Sequence, residues 1–272
     1  MARWDKISAR GRVSDRRGMS GGVLAGGGIT GILLIMGVTY LLGGNPLDVL
    51  TQVDPSQITQ QQVNTAEFEG EDEYEVFAST VLGSNNAYWE TAFARENETY
   101  VEPTLVLFRG RTQSSCGGAA SVVGPHYCPV DNTIYLDETF FEQLQQRFGA
   151  RGGDVAEAYV IAHEVGHHVQ KLQGSLTGAR RDNEASIALE LQADCYAGLW
   201  AHSLRDDDVF EKNEILEAID AAAAVGDDRI QQRTQGDVHP ESWTHGSSED
   251  RTTAFTTGYD SGDLGACLAY TS

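Results

Sequence analysis

His163-Glu164-Val165-Gly166-His167 has the residue types and spacing of a metal-dependent hydrolytic site. Positions four apart on a helix lie about 40° apart around the axis, one turn along. His163 and His167 therefore aim their imidazoles at one point, as a single zinc ion requires of two nitrogen ligands. Glu164 is offset from that axis but stays beside it, within reach of a water on the metal, where it can act as general base. The helix that must carry them runs from Val155 to Leu172. Val155, Ala158, Tyr159, Ile161, Ala162, Val165, Val169 and Leu172 give it apolar cover on more than one side, and Gly174 is a stop signal. Gly166 is a poor helix former, and its presence there points to a close packing partner. Alone, the pattern also fits a core helix whose histidines are merely satisfied, so a second motif has to decide.

A catalytic zinc takes a third protein ligand and keeps one position open. A third histidine at H-E-x-x-H-x-x-G-x-x-H spacing is excluded, because Gln170 and Gln173 occupy the required Gly and His positions. Glu190 lies 23 residues past His167 on the next long helical pattern and is the expected third ligand. Asp194 follows one turn on, placed to accept the other ring N–H of a ligand histidine and fix its tautomer. Leu189, Leu191, Ala193, Tyr196, Ala197 and Leu199 argue that this face is buried, and a buried carboxylate needs a partner. Glu184, then Asp194 itself, are the fallback ligands. His168 points about 100° away from His167 and should not reach the metal. His245 and Tyr135 are the candidate donors to an oxyanion. His245 lies in the loop-like Thr244-His245-Gly246, where its alternative role is to cap the following helix.

Four motifs occur in order: Gly124-Pro125-His126-Tyr127-Cys128-Pro129, His163 to Gln170, Glu190 to Gly198, and Thr244-His245-Gly246-Ser247-Ser248. Together they resemble the bacterial family described as "putative neutral zinc metallopeptidases", and the E-x-x-x-D pairing is similar to that of the gluzincins. The resemblance covers most of the chain after about residue 68, plus the basic N-terminus and the apolar run behind it. It implies a peptidase with zinc as cofactor and a polypeptide as substrate. It does not specify which polypeptide.

The formal net charge is −21, with 40 acidic and 19 basic residues. Arg3, Lys6, Arg10, Arg12, Arg16 and Arg17 crowd the first 17 positions, so the remaining body is more acidic still. Such a body is repelled by nucleic acid and anionic lipid, and no nucleic-acid partner is expected. Nothing in the sequence specifies an oligomeric state. Residues 18–47 carry no charge, and the 20 positions 23–42 are long enough to span a bilayer as a helix. The basic flank places the N-terminus in the cytoplasm and the body outside it. A cleaved signal peptide is the alternative, but the run is long for one and lacks an A-x-A-like end. Cys116 and Cys128 bracket a short Gly-rich loop and are expected to pair, which leaves Cys195 with Cys267. A cysteine zinc site is the rival, without any C-x-x-C spacing to support it.

The periodicities predict two helices around Tyr74–Val81 and Trp89–Phe93, divided at Gly83-Ser84-Asn85-Asn86. Strands are expected at Thr104–Phe108 and Thr133–Leu136, with 117–124 as a loop between them. Helices follow over Phe140–Phe148, the metal helix, Asn183–Leu204, Val209–Val225 and a short one reaching Gly258. The expected fold class is α+β and zincin-like, mostly helical with a small sheet over the metal helix, preceded by one N-terminal transmembrane helix. The expected division is a basic cytoplasmic segment 1–20, an anchor 21–44, a polar linker 45–67 and the metallopeptidase domain 68–272. The leading functional expectation is a membrane-anchored zinc endopeptidase facing out of the cytoplasm. A non-catalytic envelope protein with a structural zinc site is the alternative, and a clamp for one partner built on the same site is a third. Glu164 favours catalysis, because a structural site needs no base.

Overall fold

The structure is a computed structural model. It describes residues 1–18, 71–120, 124–176, 182–211, 213–234 and 236–271. Residues 1–16 and 71–272 form one compact unit. The expected anchor 21–44 and linker 45–67 lie outside the described residues. Among the described residues no helix is long and apolar enough to cross a membrane.

A 3₁₀ turn at Trp4–Lys6 precedes strand β1 (Arg12–Asp15) and helix α1 (Glu73–Arg95). Strands β2 (Thr104–Leu107), β3 (Arg111–Ser114), β4 (Gly117–Ala120), β5 (His126–Cys128) and β6 (Thr133–Leu136) follow. Helices α2 (Thr139–Phe148), α3 (Asp154–Leu172), α4 (Asn183–Ser203), α5 (Ile215–Ala224), α6 (Asp227–Thr234), α7 (Ser248–Ser261) and α8 (Leu264–Leu268) complete the unit. It is mostly helical with a mixed four-stranded sheet in the order β1-β2-β6-β5; β3 and β4 form a separate hairpin. β1, β2 and β6 run parallel, and β5 runs antiparallel to β6. Strand alternation divides the sheet's side chains between two faces. Leu105, Leu107, Ile134 and Leu136 join the core that holds Val155, Ile161, Val165 and Val169 of α3. Val106, Phe108, Cys128 and Tyr135 form a second cluster. Both expected disulfides, Cys116–Cys128 and Cys195–Cys267, are present.

Three expectations change. First, residues 1–16 pack in one compact unit with residues 71–272. β1 pairs with β2 in the register Arg12↔Thr104 to Asp15↔Leu107. Trp4 stacks on Trp200 with ring centroids 6.5 Å apart, and its indole N–H donates to Asp154 at 2.7 Å. The basic side chains serve the acidic body: Lys6 meets Asp208, Arg12 donates to the Glu102 carbonyl, and Arg16 reaches Thr112 and Gln113.

Second, α1 runs unbroken through Gly83-Ser84-Asn85-Asn86. These polar residues are buried because they are contact points. The Trp200 indole N–H donates to Ser84 Oγ at 2.9 Å, and the Tyr100 hydroxyl donates to Asn86 Oδ1 at 3.0 Å. A Cβ on Gly83 would fall 2.5 Å from the Arg10 backbone nitrogen, so the N-terminal segment needs glycine there. Tertiary contact overrides local propensity.

Third, the expected helix from Val209 starts only at Ile215, because Asp208 and Asn213 have φ of 51° and 78°. Positive φ does not continue a right-handed helix. α6, with few apolar residues, and β5 went unanticipated. β4 takes up part of the stretch read as loop, and α7 continues past Gly258 to Ser261.

Candidate metal centre

Helix α3 carries His163 and His167, and helix α4 carries Glu190. The two helices cross closely at Gly166. A Cβ there would lie 2.9 Å from Ala193 Cα, so any side chain would push α4 and Glu190 away. The result is the one cluster among the described residues able to hold a metal ion: His163, His167 and Glu190, with ligand atoms within 4.8 Å of one another. His163 Nε2 is 3.3 Å from Glu190 Oε2, and His167 Nε2 is 3.4 Å from Glu190 Oε1. A tetrahedral zinc with bonds of about 2.0–2.1 Å has ligand–ligand edges of about 3.3 Å, and two nitrogens with one carboxylate is a common catalytic donor set. The site therefore fits zinc. Glu184 is exposed in the first turn of α4 and stands outside the cluster.

Each histidine is held from behind through Nδ1. His163 donates Nδ1–H to Asp194 Oδ1 at 2.8 Å. The same oxygen accepts the Tyr159 hydroxyl at 2.5 Å and Arg251 Nη2 at 3.0 Å, while Arg251 Nε donates to Oδ2 at 2.8 Å. Four donors saturate the Asp194 carboxylate, which stands outside the cluster of His163, His167 and Glu190. His167 Nδ1 lies 2.9 Å from Gln170 Oε1. Gln170 Nε2 donates to the Leu189 carbonyl at 2.7 Å and to Gln192 Oε1 at 3.1 Å, which leaves its oxygen to accept from the ring. Both rings thus present Nε2 to the site.

The electrostatics match an anionic, cation-binding pocket. Burial opposes the charged form of His163, but the Asp194 and Glu190 carboxylates outweigh it and hold the pKa up at about 10. Burial likewise opposes charge on His167, and Glu190, with a smaller contribution from Glu164, raises its pKa. Burial pushes Glu190 up, but the two imidazoles hold its carboxyl well below the usual range. Without a metal the pocket keeps protons that an incoming cation must displace.

Glu164 is 6% exposed, and none of the hydrogen bonds among the described residues uses its carboxylate. His168 does not face the metal. Burial lowers its pKa to about 4, so the ring is neutral near pH 7. Its Nε2–H donates to the Val101 carbonyl at 2.5 Å, and its Nδ1 accepts the Tyr127 hydroxyl at 2.9 Å. That pair ties α3 to the edge strand β5.

The two oxyanion candidates separate. Tyr135 lies on the sheet face away from α3, stacked on His126 and bonded to Asp131 Oδ2 at 3.0 Å. Strand alternation sends it away from the metal helix, which removes it as a donor. His245 does not cap α7: Ser247 does, in a reciprocal capping box with Asp250. Its loop packs on α4, where Ser186 Oγ donates to the Thr244 carbonyl at 2.9 Å. A Cβ on Gly246 would touch Ile187 and Leu191, which flank Glu190 in sequence. Asp227 fixes this loop. Its Oδ2 accepts the backbone N–H groups of Thr244, His245 and Gly246 at 2.7, 2.7 and 3.2 Å, and its Oδ1 lies 3.1 Å from His245 Nδ1. The His245 side chain is 49% exposed and makes no hydrogen bond to the three candidate ligands.

Sequence reasoning missed Arg251 and Asp227. A buried Asp194 implied a counter-charge, but nothing local says which of the 19 basic residues supplies it.

The family described as "Putative neutral zinc metallopeptidase" matches residues 2–270. The chain is 40% identical to "Uncharacterized protein YpfJ" of Escherichia coli K12 over 98% of both chains. It is 46% identical to "Uncharacterized protein Rv2575" of Mycobacterium tuberculosis H37Rv over 64% of each. No solved structure matches. With His163, His167 and Glu190 drawn together inside a match spanning nearly its whole length, the chain belongs to this family of zinc metallopeptidases, named as putative.

Proposed function

We propose that the protein is a zinc-dependent peptidase of zincin-like design that hydrolyses peptide bonds with Glu164 as general base. One observation carries this: three candidate ligand groups converge with both histidines locked from behind, while the adjacent Glu164 carboxylate is hydrogen-bonded to none of them among the described bonds. His163, His167 and Glu190 would hold a zinc ion, which would supply a water acidified to a pKa of about 7 and Lewis-acid polarisation of the scissile carbonyl. Glu164 takes that water's proton and returns it to the leaving amine. Asp227 orients the His245 ring through Nδ1, which leaves Nε2 as the atom this reading assigns to the carbonyl oxygen as charge builds there. β5 ends the sheet order and is bound to α3 through Tyr127 and His168. Its outer edge, unpaired among the described residues, offers main-chain groups to an extended polypeptide. The two disulfides favour an oxidising compartment for this unit.

The test is zinc stoichiometry and cleavage of an unfolded protein by the full chain, beside Glu190→Ala. One zinc per chain and cleavage are expected, with both lost in the variant. Zinc uptake without cleavage of any unfolded substrate would point to the structural site instead. Full zinc in Glu190→Ala would place the third ligand elsewhere.

A further inference from the structure

Arg251 lies in the second turn of α7 and is 3% exposed, beside an Asp194 that is fully buried. Its fork grips that carboxylate side-on, Nε to Oδ2 at 2.8 Å and Nη2 to Oδ1 at 3.0 Å. Nη2 also lies 3.3 Å from the Tyr159 hydroxyl and 3.8 Å from Glu190 Oε2, and Nη1 reaches the Val225 carbonyl at 3.4 Å. Among the described hydrogen bonds, Arg251 alone serves Oδ2. A side-on guanidinium–carboxylate pair fixes a plane as well as a charge. Rotating Asp194 to release His163 would break both bonds at once. Removing the guanidinium would leave Oδ2 a buried acceptor without a donor, free to turn or to take a proton. The position of Arg251 is itself built: the Ser247–Asp250 capping box starts α7, and Ser248 N–H donates to Asp228 Oδ1 at 2.7 Å, tying that start to α6.

We propose that Arg251 is a positioning residue of the metal centre: acting through Asp194, it holds His163 with Nε2 toward the metal and offsets the two carboxylates buried there. The proposal rests on the reading of His163, His167 and Glu190 as zinc ligands. A merely structural Arg251 would pin α7 to α4 and affect stability alone.

The experiment uses the full chain and measures zinc affinity by competition with a chromophoric chelator, together with the visible spectrum of the cobalt-loaded protein. Both are read at a temperature where circular dichroism shows each variant folded. Arg251→Met is expected to weaken zinc binding about 10–100-fold, as loss of partners behind a ligand does, and to shift the cobalt bands. Arg251→Lys keeps the charge without the fork and should recover part of that loss. In an Asp194→Asn background, Arg251→Met should cost clearly less than in the parent, because the route through Asp194 is already cut and only the contacts of Nη2 with Glu190 and His163 remain. Parent-like affinity and spectrum in folded Arg251 variants, or fully additive losses in the double variant, would overturn the proposal while leaving the zinc ligands standing. If the parent itself takes up no zinc, the ligand reading falls and the proposal with it. Should Arg251→Met not fold, Arg251→Lys decides: parent-like affinity and spectrum overturn the proposal, and weakened binding with shifted bands supports it.

Discussion

The two histidines of one motif are held by opposite means. Behind His163 stands an ionic cluster drawn from three helices: Tyr159 of α3, Asp194 of α4 and Arg251 of α7. Behind His167 stands a neutral amide chain, Gln170 to Gln192. Gln192 Nε2 in turn donates to Thr271 Oγ1 at 2.7 Å and lies 3.4 Å from the Cys267 carbonyl. That chain ends on the segment stapled to α4 by Cys195–Cys267. Both arrangements fix the same tautomer. The ionic one also raises the basicity of its ring and buries a carboxylate that needs its counter-charge. The neutral one buries no charge and depends on amide orientation alone. A repeated ligand type therefore does not imply a repeated environment.

Glu164 belongs to neither side, and that gives the largest expected effect. Glu164→Gln should keep one zinc per chain and lose the base, a contribution of about 10²–10⁴-fold in peptide cleavage. Parent-like cleavage by this variant would end the proposed mechanism. Zinc loss would mean that Glu164 takes part in holding the ion, and the division into two sides would need a third.

His245 comes next. It is positioned by Asp227 from the loop before α7, apart from both ligand-holding networks. His245→Ala should lower kcat by about 10²–10³-fold, the usual cost of one oxyanion donor, with zinc stoichiometry unchanged. Asp227→Asn should fall in the same direction by less, because the amide can still accept hydrogen bonds. A His245→Ala enzyme with parent kcat would remove the loop from catalysis.

Asp194→Asn and Gln170→Leu test the comparison head-on. Both leave the ligand in place and remove its support. The expected loss of zinc affinity is about 10–100-fold for Asp194→Asn, where a charged partner goes. Gln170→Leu should lose less, because a neutral hydrogen bond is worth roughly half a charge-assisted one. Equal losses measured in one chelator competition would show that the charge behind His163 adds nothing.

The same contrast explains what was legible. His163 with His167, and Glu190 with Asp194, were readable because helical spacing is a local rule. Arg251 and Asp227 act across chain separations of 57 and 18 residues, and no local spacing specifies such partners. β1 was hidden for a related reason. Arg12-Val13-Ser14-Asp15 has no apolar alternation and becomes a strand only because β2 offers an edge. Its Arg12 donates to the Glu102 carbonyl, a partner 90 residues away that no local pattern specifies. At Gly83–Asn86 a break signal was real locally and was overruled by burial against Trp200, Tyr100 and the Arg10 backbone.

The smallest expected effect concerns Glu157, on the first turns of α3 and outside both networks. Burial pushes its carboxyl up to about 7; the Tyr74 hydroxyl opposes this, and Asp154 and Glu138 add to it. In the unfolded chain the group titrates near 4.5. Between those values the folded protein binds the extra proton, so this contribution to stability is present below about 4.5 and is lost as pH rises through about 7. The loss at pH 8 relative to pH 5 should be on the order of 2 kcal/mol, at about 2–4 °C of melting temperature per kcal/mol for a unit of this size. Glu157→Gln removes the titration. It should melt close to the parent at pH 5 and several degrees above it at pH 8, with zinc held at the same level in both proteins. Taking the difference between parent and variant cancels the pH dependence of the metal centre, which they share. If that difference is the same at pH 5 and pH 8, Glu157 is not the group that titrates, and the pH dependence of α3 must come from the metal-binding pocket itself.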